Sequence, residues 1–391
     1  MVHDYAGHPA QVGLSRCLAA RGHEVAHAYF TGDPGPKGAL ARQGEGDLVT
    51  FIGIGIGRPY DKGALVGRHR ADVAYGRAAA RAVAGFRPDV VISGNTPTAA
   101  QGGVIRGSRA AGAAFVLWVQ DFYSLAVTRL LGRRLGPVGR AVGAAYRAME
   151  RRQFRLSDGI VVITEDFRPL AEAWAAAPVA AIENWGALDA IWPLPRDNRF
   201  ARETGIAGGF NFLYAGTLGL KHDPALLLAL AEAVRGRARV VVVGQGSGMP
   251  RLAAAGLANL RLLPLQPVER LREVLAAADV AVAVIEPDAG AFSVPSKVQS
   301  YLCAGRPVLL AAPATNLAAR VIERTGAGLV VAPGDPAAFA AAGRALMADA
   351  PGRAAMAARG RAHAEAAFDL DRVADRFEEV MLAAVGRKRR R

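Results

Sequence analysis

The stretch from Asp279 to Ala312 reads DVAVAVIEPDAGAFSVPSKVQSYLCAGRPVLLAA, and its reading decides the fold. DVAVAVI, from Asp279, is a short apolar run with valine at alternate places, and PVLLAA, from Pro307, is another. Between them a Gly- and Pro-containing turn leads into a helical-looking segment that ends in Ala-Gly. Continuous apolar runs of this length suit strands covered on both faces, so the stretch reads as strand, turn, helix and parallel strand.

Working outward, the same alternation recurs. DVVIS from Asp89, FVLWVQD from Phe115, GIVVITE from Gly159, FNFLYAG from Phe210, ARVVVVG from Ala238 and GLVVAP from Gly328 are separated by Ala-, Leu- and Arg-rich helical stretches. This is the grammar of an α/β protein, and the lack of a repeating period argues against a solenoid. A chain of 391 residues suits two cores better than one.

Between Trp192 and Gly209 the pattern lapses into PLPRDNRFARETGIAGG, which places the domain boundary. The expected organisation is an N-terminal domain over 1–192, a linker over 193–209 and a C-terminal domain over 210–370. A helix over 371–385 carries Val373, Phe377, Val380 and Met381 at helical spacing and must cover a surface. A solvated basic tail over 386–391 ends the chain. At the start, only Met1 and Val2 precede HDYAGHP, where a buried strand belongs before the Gly-rich turn and the helix ending LAARGHEV. The expectation is a first strand encoded upstream of a misassigned start, rather than a later strand filling its place.

The net charge of +14 calls for an anionic partner: nucleic acid, an acidic membrane surface or phosphorylated substrates. Nucleic acid is not expected, because the arginines are scattered through α/β elements and no helix-turn-helix, zinc or RNA-recognition signature occurs. The two cysteines, Cys17 and Cys303, lie in apolar helical stretches, which argues against a disulfide framework or a cysteine zinc site. Without a leader-like start or an apolar run of about eighteen residues, the chain reads as cytoplasmic, neither exported nor membrane-spanning.

Chemistry is expected beyond the carboxyl ends of the strands, where glycine turns and helix N-termini offer N–H groups to phosphate. The C-terminal half has three such turns. YAGTLGLKHDP supplies Gly216, Thr217 and Lys221, VGQGSGMP supplies Gln245 and Gly246, and EPDAGAFSVPSK supplies Glu286, Ser293, Ser296 and Lys297. Pro295 suits the first helical turn, with Ser293 capping, so that a diphosphate would meet backbone N–H groups, hydroxyls and an ammonium. No metal is expected: nothing resembles a metal-binding DxD turn, and the DLD at Asp369 caps the final helix. In the N-terminal half, Asn95 and Asp121 lie at strand ends. His3, Asp4 and His8 flank Gly7, either contacting an acceptor or standing exposed on a loop.

From Arg129 to Arg155 the chain reads RLLGRRLGPVGRAVGAAYRAMERRQFR. Arg140, Arg147, Arg151 and Arg155 share one face of a helix, and Leu131, Leu135, Val138, Val142 and Tyr146 add apolar area. Such a surface could lie against anionic lipid.

The ordered set YAG…K, VVVGQG, NLRLLPLQP, AAADVAVAV and PSKVQSYLCAGRPVL resembles the C-terminal domain of the GT-B glycosyltransferases, family 4. GHPAQVGLSRCLAARGHEV, WVQDFYS and IENWGALD resemble N-terminal segments of the same family, so the resemblance spans nearly the whole chain. Together with PSKVQSYLCAGRPVL they are similar to the branch that makes colanic acid, capsule and O-antigen polysaccharides, especially its amino-sugar transferases.

The resemblance implies two Rossmann-like domains facing across a cleft, no cofactor, and a nucleotide-diphosphate sugar as donor, UDP- rather than GDP-linked. It implies transfer with retention, by a front-face, oxocarbenium-like path, to a glycan or polyprenyl-diphosphate-linked acceptor. Lys221 and Lys297 would face the donor diphosphate as catalytic cations in place of a metal, with Asp121 the catalytic residue of the N-terminal domain. Gly216, Thr217, Gln245, Gly246, Ser293 and Ser296 would lie at the phosphate and sugar, Gln266 in the loop that holds the base, and His8 and Asn95 at the acceptor.

The sequence departs from the family at three points. Ser300 stands where a glutamate holds the ribose hydroxyls, Phe292 stands where a paired acid occurs, with Glu286 the nearest candidate, and Gln120 replaces a histidine before Asp121. We read these as donor tuning. A nucleotide-sugar epimerase, an inactive scaffold and a basic nucleic-acid-binding protein are the competing classes.

Overall fold

Each apolar run forms a strand of one of two parallel sheets. The structure is a computed structural model that describes residues 1–32, 37–57, 65–219, 222–286 and 294–390, with only the backbone of 65 and 66. It divides into two compact units, Met1–Glu183 with Leu370–Arg391, and Asn184–Asp369.

The first unit holds β1 (Val2–Asp4), α1 (Pro9–Ala20), β2 (Ala26–Phe30), β3 (Thr50–Ile54), α2 (Leu65–Phe86), β4 (Val90–Gly94), α3 (Thr98–Ala110), β5 (Ala114–Val119), α4 (Tyr123–Leu156), β6 (Gly159–Val162), α5 (Arg168–Trp174) and β7 (Val179–Ala181). The sheet order is β3-β2-β1-β4-β5-β6-β7. The place of the first strand, expected upstream of Met1, is taken by Val2–Asp4, which pairs Val2 with both His27 and Ile92 at the centre of the sheet. Ladders on both sides let three residues serve as a strand.

α4 is not one straight helix, which corrects the reading of Arg129–Arg155. Gly136 has φ 54° and ψ −127°, Pro137 follows it, and the chain folds back on itself. The rings of Tyr123 and Tyr146 lie 6.0 Å apart, whereas 23 residues of straight helix would separate them by about 35 Å. Glycines let the two arms touch: a Cβ on Gly139 would meet the Leu131 carbonyl at 1.9 Å, and one on Gly143 the Thr128 hydroxyl at 2.4 Å. The expected apolar face is therefore divided. Leu131 is buried and the Tyr146 hydroxyl bonds His69 Nδ1 at 2.9 Å, while Arg140, Arg147, Arg151 and Arg155 are exposed on the second arm.

The second unit holds α6 (Arg199–Glu203), β8 (Phe210–Thr217), α7 (Pro224–Ala233), β9 (Ala238–Gln245), α8 (Met249–Ala254), β10 (Leu260–Leu263), α9 (Leu271–Ala276), β11 (Val280–Val284), α10 (Lys297–Cys303), β12 (Val308–Ala311), α11 (Leu317–Thr325), β13 (Gly328–Val331), α12 (Pro336–Ala348) and α13 (Ala350–Ala367). Its order is β10-β9-β8-β11-β12-β13. Phe212, Leu227, Val240, Val242, Val282 and Phe339 are wholly buried around this sheet, each worth about 1.5–3 kcal/mol of transfer from water. The expected linker over 193–209 is part of this unit. Asn198 caps α6 by accepting from Ala201 N at 3.0 Å, Phe200 is buried, and Arg196 pairs with Asp279 at 3.3 Å.

α14 (Leu370–Arg389) returns to the first unit. Val373, Phe377 and Met381 are buried there, and Phe377 meets Trp118 edge-on at 4.7 Å. Arg21 holds the helix through Asp371, Asp375 and Glu378 at 3.0, 2.6 and 2.7 Å. The helix runs through 386–389 instead of ending at Val385, and Arg387 donates to the Ala176 carbonyl, so this stretch is not a free tail.

In each sheet the chain works outward from a central strand and then restarts on that strand's other side. The reversal falls between β1 and β4 in the first unit and between β8 and β11 in the second. Crevices open at the carboxyl ends of strands at such points.

Candidate functional site

At the second unit's reversal, two turns meet backbone to backbone. Gly216, next to last in β8, has φ 118° and Gly246, just after β9, has φ 127°. A Cβ on Gly244 would lie 2.0 Å from the Gly216 carbonyl, and one on Gly246 2.5 Å from that of Leu218. Gly246 combines a left-handed backbone with a close approach, which only glycine tolerates, and Gly244 is required by the approach alone. The Leu218 N–H donates to the Gln245 carbonyl at 2.7 Å, which ties the turns together.

Lys297 opens α10 and crosses to β8. Its Nζ donates to the Tyr214 hydroxyl at 2.9 Å, lies 4.4 Å over that ring and stands 3.5 Å from His222 Nε2. Tyr214 in turn donates to the Thr217 carbonyl at 2.7 Å. His222 Nδ1 accepts from Gly219 N at 3.1 Å, so the neutral ring carries its proton on Nε2, beside the ammonium. Lys297 keeps partial exposure as a residue, but its ammonium is withdrawn from water, and desolvation pushes its pKa down to about 7. Tyr301 fixes α10 by donating to the Val282 carbonyl at 3.0 Å and accepting from Ala215 N at 3.2 Å. A desolvated cation beside exposed turn backbone is suited to an anionic group.

The structure thus brings together Gly216, Thr217, Gln245, Gly246 and Lys297. Lys221 and Ser293 lie outside the described residues. α10 starts at Lys297 with Ser296 at the cap position, exposed and without a side-chain capping bond. Pro295 therefore precedes the cap rather than occupying the first turn, and the capping expected of Ser293 falls outside the described residues. Ser300 is half-buried one turn into α10, and Glu286 is half-buried two residues past β11. The Gln266 amide turns back onto the Pro264 carbonyl at 3.0 Å.

The first unit's reversal carries carboxylates beside an arginine. The carboxyl ends of β1, β4 and β5 surround a cavity of about 300 Å³, lined by His8, Asn95 and Asp121 together with Arg68, Tyr123 and Glu150. Behind the wall, Asp4 accepts from the N–H groups of Ala6 and His8 and from Asn95 Nδ2, the last at 3.2 Å. Turned with its amide nitrogen on Asp4, Gln11 accepts from Asn95 Nδ2 at 3.1 Å. Asn95 is held at φ 51°. Burial pushes the Asp4 carboxyl up, against the opposing pull of His8 and these donors. Glu150 accepts from Tyr123 N at 3.0 Å and from Ser124 N at 3.2 Å, satisfying first-turn donors of α4.

His3 and Asp4 are neither acceptor contacts nor exposed loop residues. Both are buried on β1, and His3 bonds Ser93 and Tyr75 at 2.8 Å each, with burial pushing its pKa down to about 3. Sequence reasoning missed the positioning role of Asp4 and Gln11 and the place of Tyr214 and His222. A tyrosine at a strand end and a histidine after the next glycine turn were the signals available.

Residues 8–185 match the family described as Glycosyl transferase 4-like domain, and 209–349 that described as Glycosyl transferases group 1. The probable glycosyltransferase WbjE of Pseudomonas aeruginosa is 28% identical over 268 residues, which spans 65% of this chain and 65% of that protein. Sucrose-phosphate synthase from Thermosynechococcus elongatus superposes with a TM-score of 0.72 at 15% identity, covering 97% of each chain. HepE of Anabaena, in complex with UDP and glucose, superposes with a TM-score of 0.70 at 15% identity, covering 98% of each. Two glycosyltransferase domains matched in chain order, on two sheets of this topology, make the chain a member of the GT-B glycosyltransferases of family 4.

Proposed function

We propose that the chain is a retaining glycosyltransferase of cell-surface polysaccharide synthesis. It moves a sugar, an N-acetylated amino sugar in our reading, from a nucleotide diphosphate to a glycan or polyprenyl-diphosphate-linked acceptor. The observation that carries the reading is the desolvated Lys297 ammonium at the reversal of the second sheet, against two glycine turns in close backbone contact. The crystallised complex of HepE with UDP and glucose, on the same fold, favours UDP over GDP as carrier.

In this scheme the acceptor oxygen bonds the anomeric carbon on the face that the diphosphate leaves. The bond from that carbon to the phosphate oxygen breaks, and the acceptor's proton passes to the departing phosphate. Negative charge grows on the diphosphate in the transition state, so the N–H groups of the glycine turns, Lys297 and His222 lower the barrier by electrostatic preorganisation. Lys221, placed by sequence after the first turn, would add a second cation and dispense with a metal. His8, Asn95 and Asp121 orient the acceptor, and Ser300 and Glu286 meet the donor's ribose side. The exposed arginines of α4 set the enzyme on an anionic membrane from the cytosolic side. Among the described residues no helix is long and apolar enough to cross one.

The test is transfer from an α-linked UDP-sugar with the product's anomeric configuration read by NMR. The expected product is α-linked, and Lys297→Met lowers kcat/KM by about 100-fold or more. A β-linked product, or full activity in Lys297→Met, overturns the reading.

A further inference from the structure

We infer that the bend of α4, at Gly136–Pro137, is a wedge that enters an anionic lipid bilayer. The inference sharpens the peripheral placement proposed above and rests on it for its choice of partner. Lipid binding and nucleotide binding are separate readouts, so each can fail without the other.

The hairpin is closely packed along its length. Its arms are locked by the Gly139 contact with Leu131 and the Gly143 contact with Thr128, and Glu150 ties its base together through Tyr123 and Ser124. Leu135 is 50% exposed and Val138 67% exposed, one on each side of the bend, with exposed Pro137 between them. No polar side chain stands between Arg134 and Arg140. Charge then selects the occupant. From Tyr123 to Met149 the chain has five arginines and no acidic residue, and Arg133, Arg134 and Arg140 are exposed next to the tip.

Apolar side chains at the point of a cationic projection match a bilayer with anionic headgroups. The tip reaches the acyl boundary while the guanidinium groups stay at the phosphates on their aliphatic stems. A second copy of the chain fits less well, because two such side chains cover far less than the roughly 800 Å² per partner of a stable interface. Nucleic acid would meet Leu135 and Val138 as bare apolar surface.

The test is sedimentation of the full chain with phosphatidylcholine vesicles, with and without phosphatidylglycerol, at low and high salt. Wild type should pellet only with phosphatidylglycerol and less at high salt. Arg134→Gln with Arg140→Gln should weaken binding about 25-fold, taking about fivefold per arginine. Leu135→Asp with Val138→Asp should abolish pelleting. Unchanged circular dichroism and Tm show that these surface variants fold. A Val138→Trp variant should shift its emission to the blue on phosphatidylglycerol vesicles. Absence of pelleting, wild-type pelleting by the Leu135/Val138 double variant, an unshifted tryptophan, or a dimer in solution that the double variant dissolves would each overturn the proposal.

Discussion

Raising the pH from about 7.5 to about 8.5 should weaken nucleoside diphosphate binding about eightfold, through Lys297 alone. Burial brings the Lys297 pKa down to about 7 in the free protein. Between that value and the ordinary lysine range the unfolded chain holds a proton that the folded chain lacks. This group's contribution to stability is therefore lowest below pH 7 and rises with pH through that window. An anion at Nζ acts in the opposite sense, favouring the ammonium and drawing a proton in on binding.

With a free-protein pKa near 7, the protonated fraction falls from about one quarter to about one thirtieth over that pH step, which gives the factor of eight. The chosen range lies above ordinary phosphate and imidazole titration, and burial keeps the adjoining Tyr214 hydroxyl neutral by raising it further. Calorimetric titration with UDP in two buffers of different ionisation heat measures both the affinity and the proton taken up. Lys297→Met should bind more weakly and lose the pH dependence. A wild-type affinity flat across the step, or the same slope in Lys297→Met, refutes the reasoning.

Asp4→Ala leaves the Ala6 and His8 N–H groups without their acceptor and should lower stability in a urea melt by about 1–3 kcal/mol. It should also raise KM for the acceptor while leaving UDP binding unchanged, since Asp4 holds Asn95 and the His8 backbone. Gly244→Ala places a methyl 2.0 Å from the Gly216 carbonyl, so the two turns must separate. The expected cost is about 1–3 kcal/mol by denaturant unfolding, with UDP affinity lost in calorimetry.

What could be read from sequence followed chain locality. DVAVAVI and ARVVVVG are strands because their apolar runs suffice, and the glycines after YAG and VVVG mark turns because a strand precedes each one. β1 was missed because its polar residues are satisfied from far along the chain: His3 by Ser93 and Tyr75, and Asp4 by Asn95. No local pattern announces such partners. The bend in α4 was signalled by Gly136–Pro137, but the helical spacing of the arginines beyond it suggested one continuous face. Lys297 was legible as a cation at a helix start. Its meeting with Tyr214, 83 residues earlier in the chain, and with His222 required the sheet order.

The central claim, that the second unit's crevice holds a nucleotide-diphosphate donor at Lys297, is tested most directly by thermal unfolding of the full chain with UDP, GDP, UMP and pyrophosphate. A ligand that binds the native state at a hundred times its Kd adds about 2.7 kcal/mol of stability. UDP should raise Tm more than UMP or pyrophosphate, and Lys297→Met should remove the rise. No increase with either nucleoside diphosphate, or an equal increase in wild type and Lys297→Met, would contradict the account.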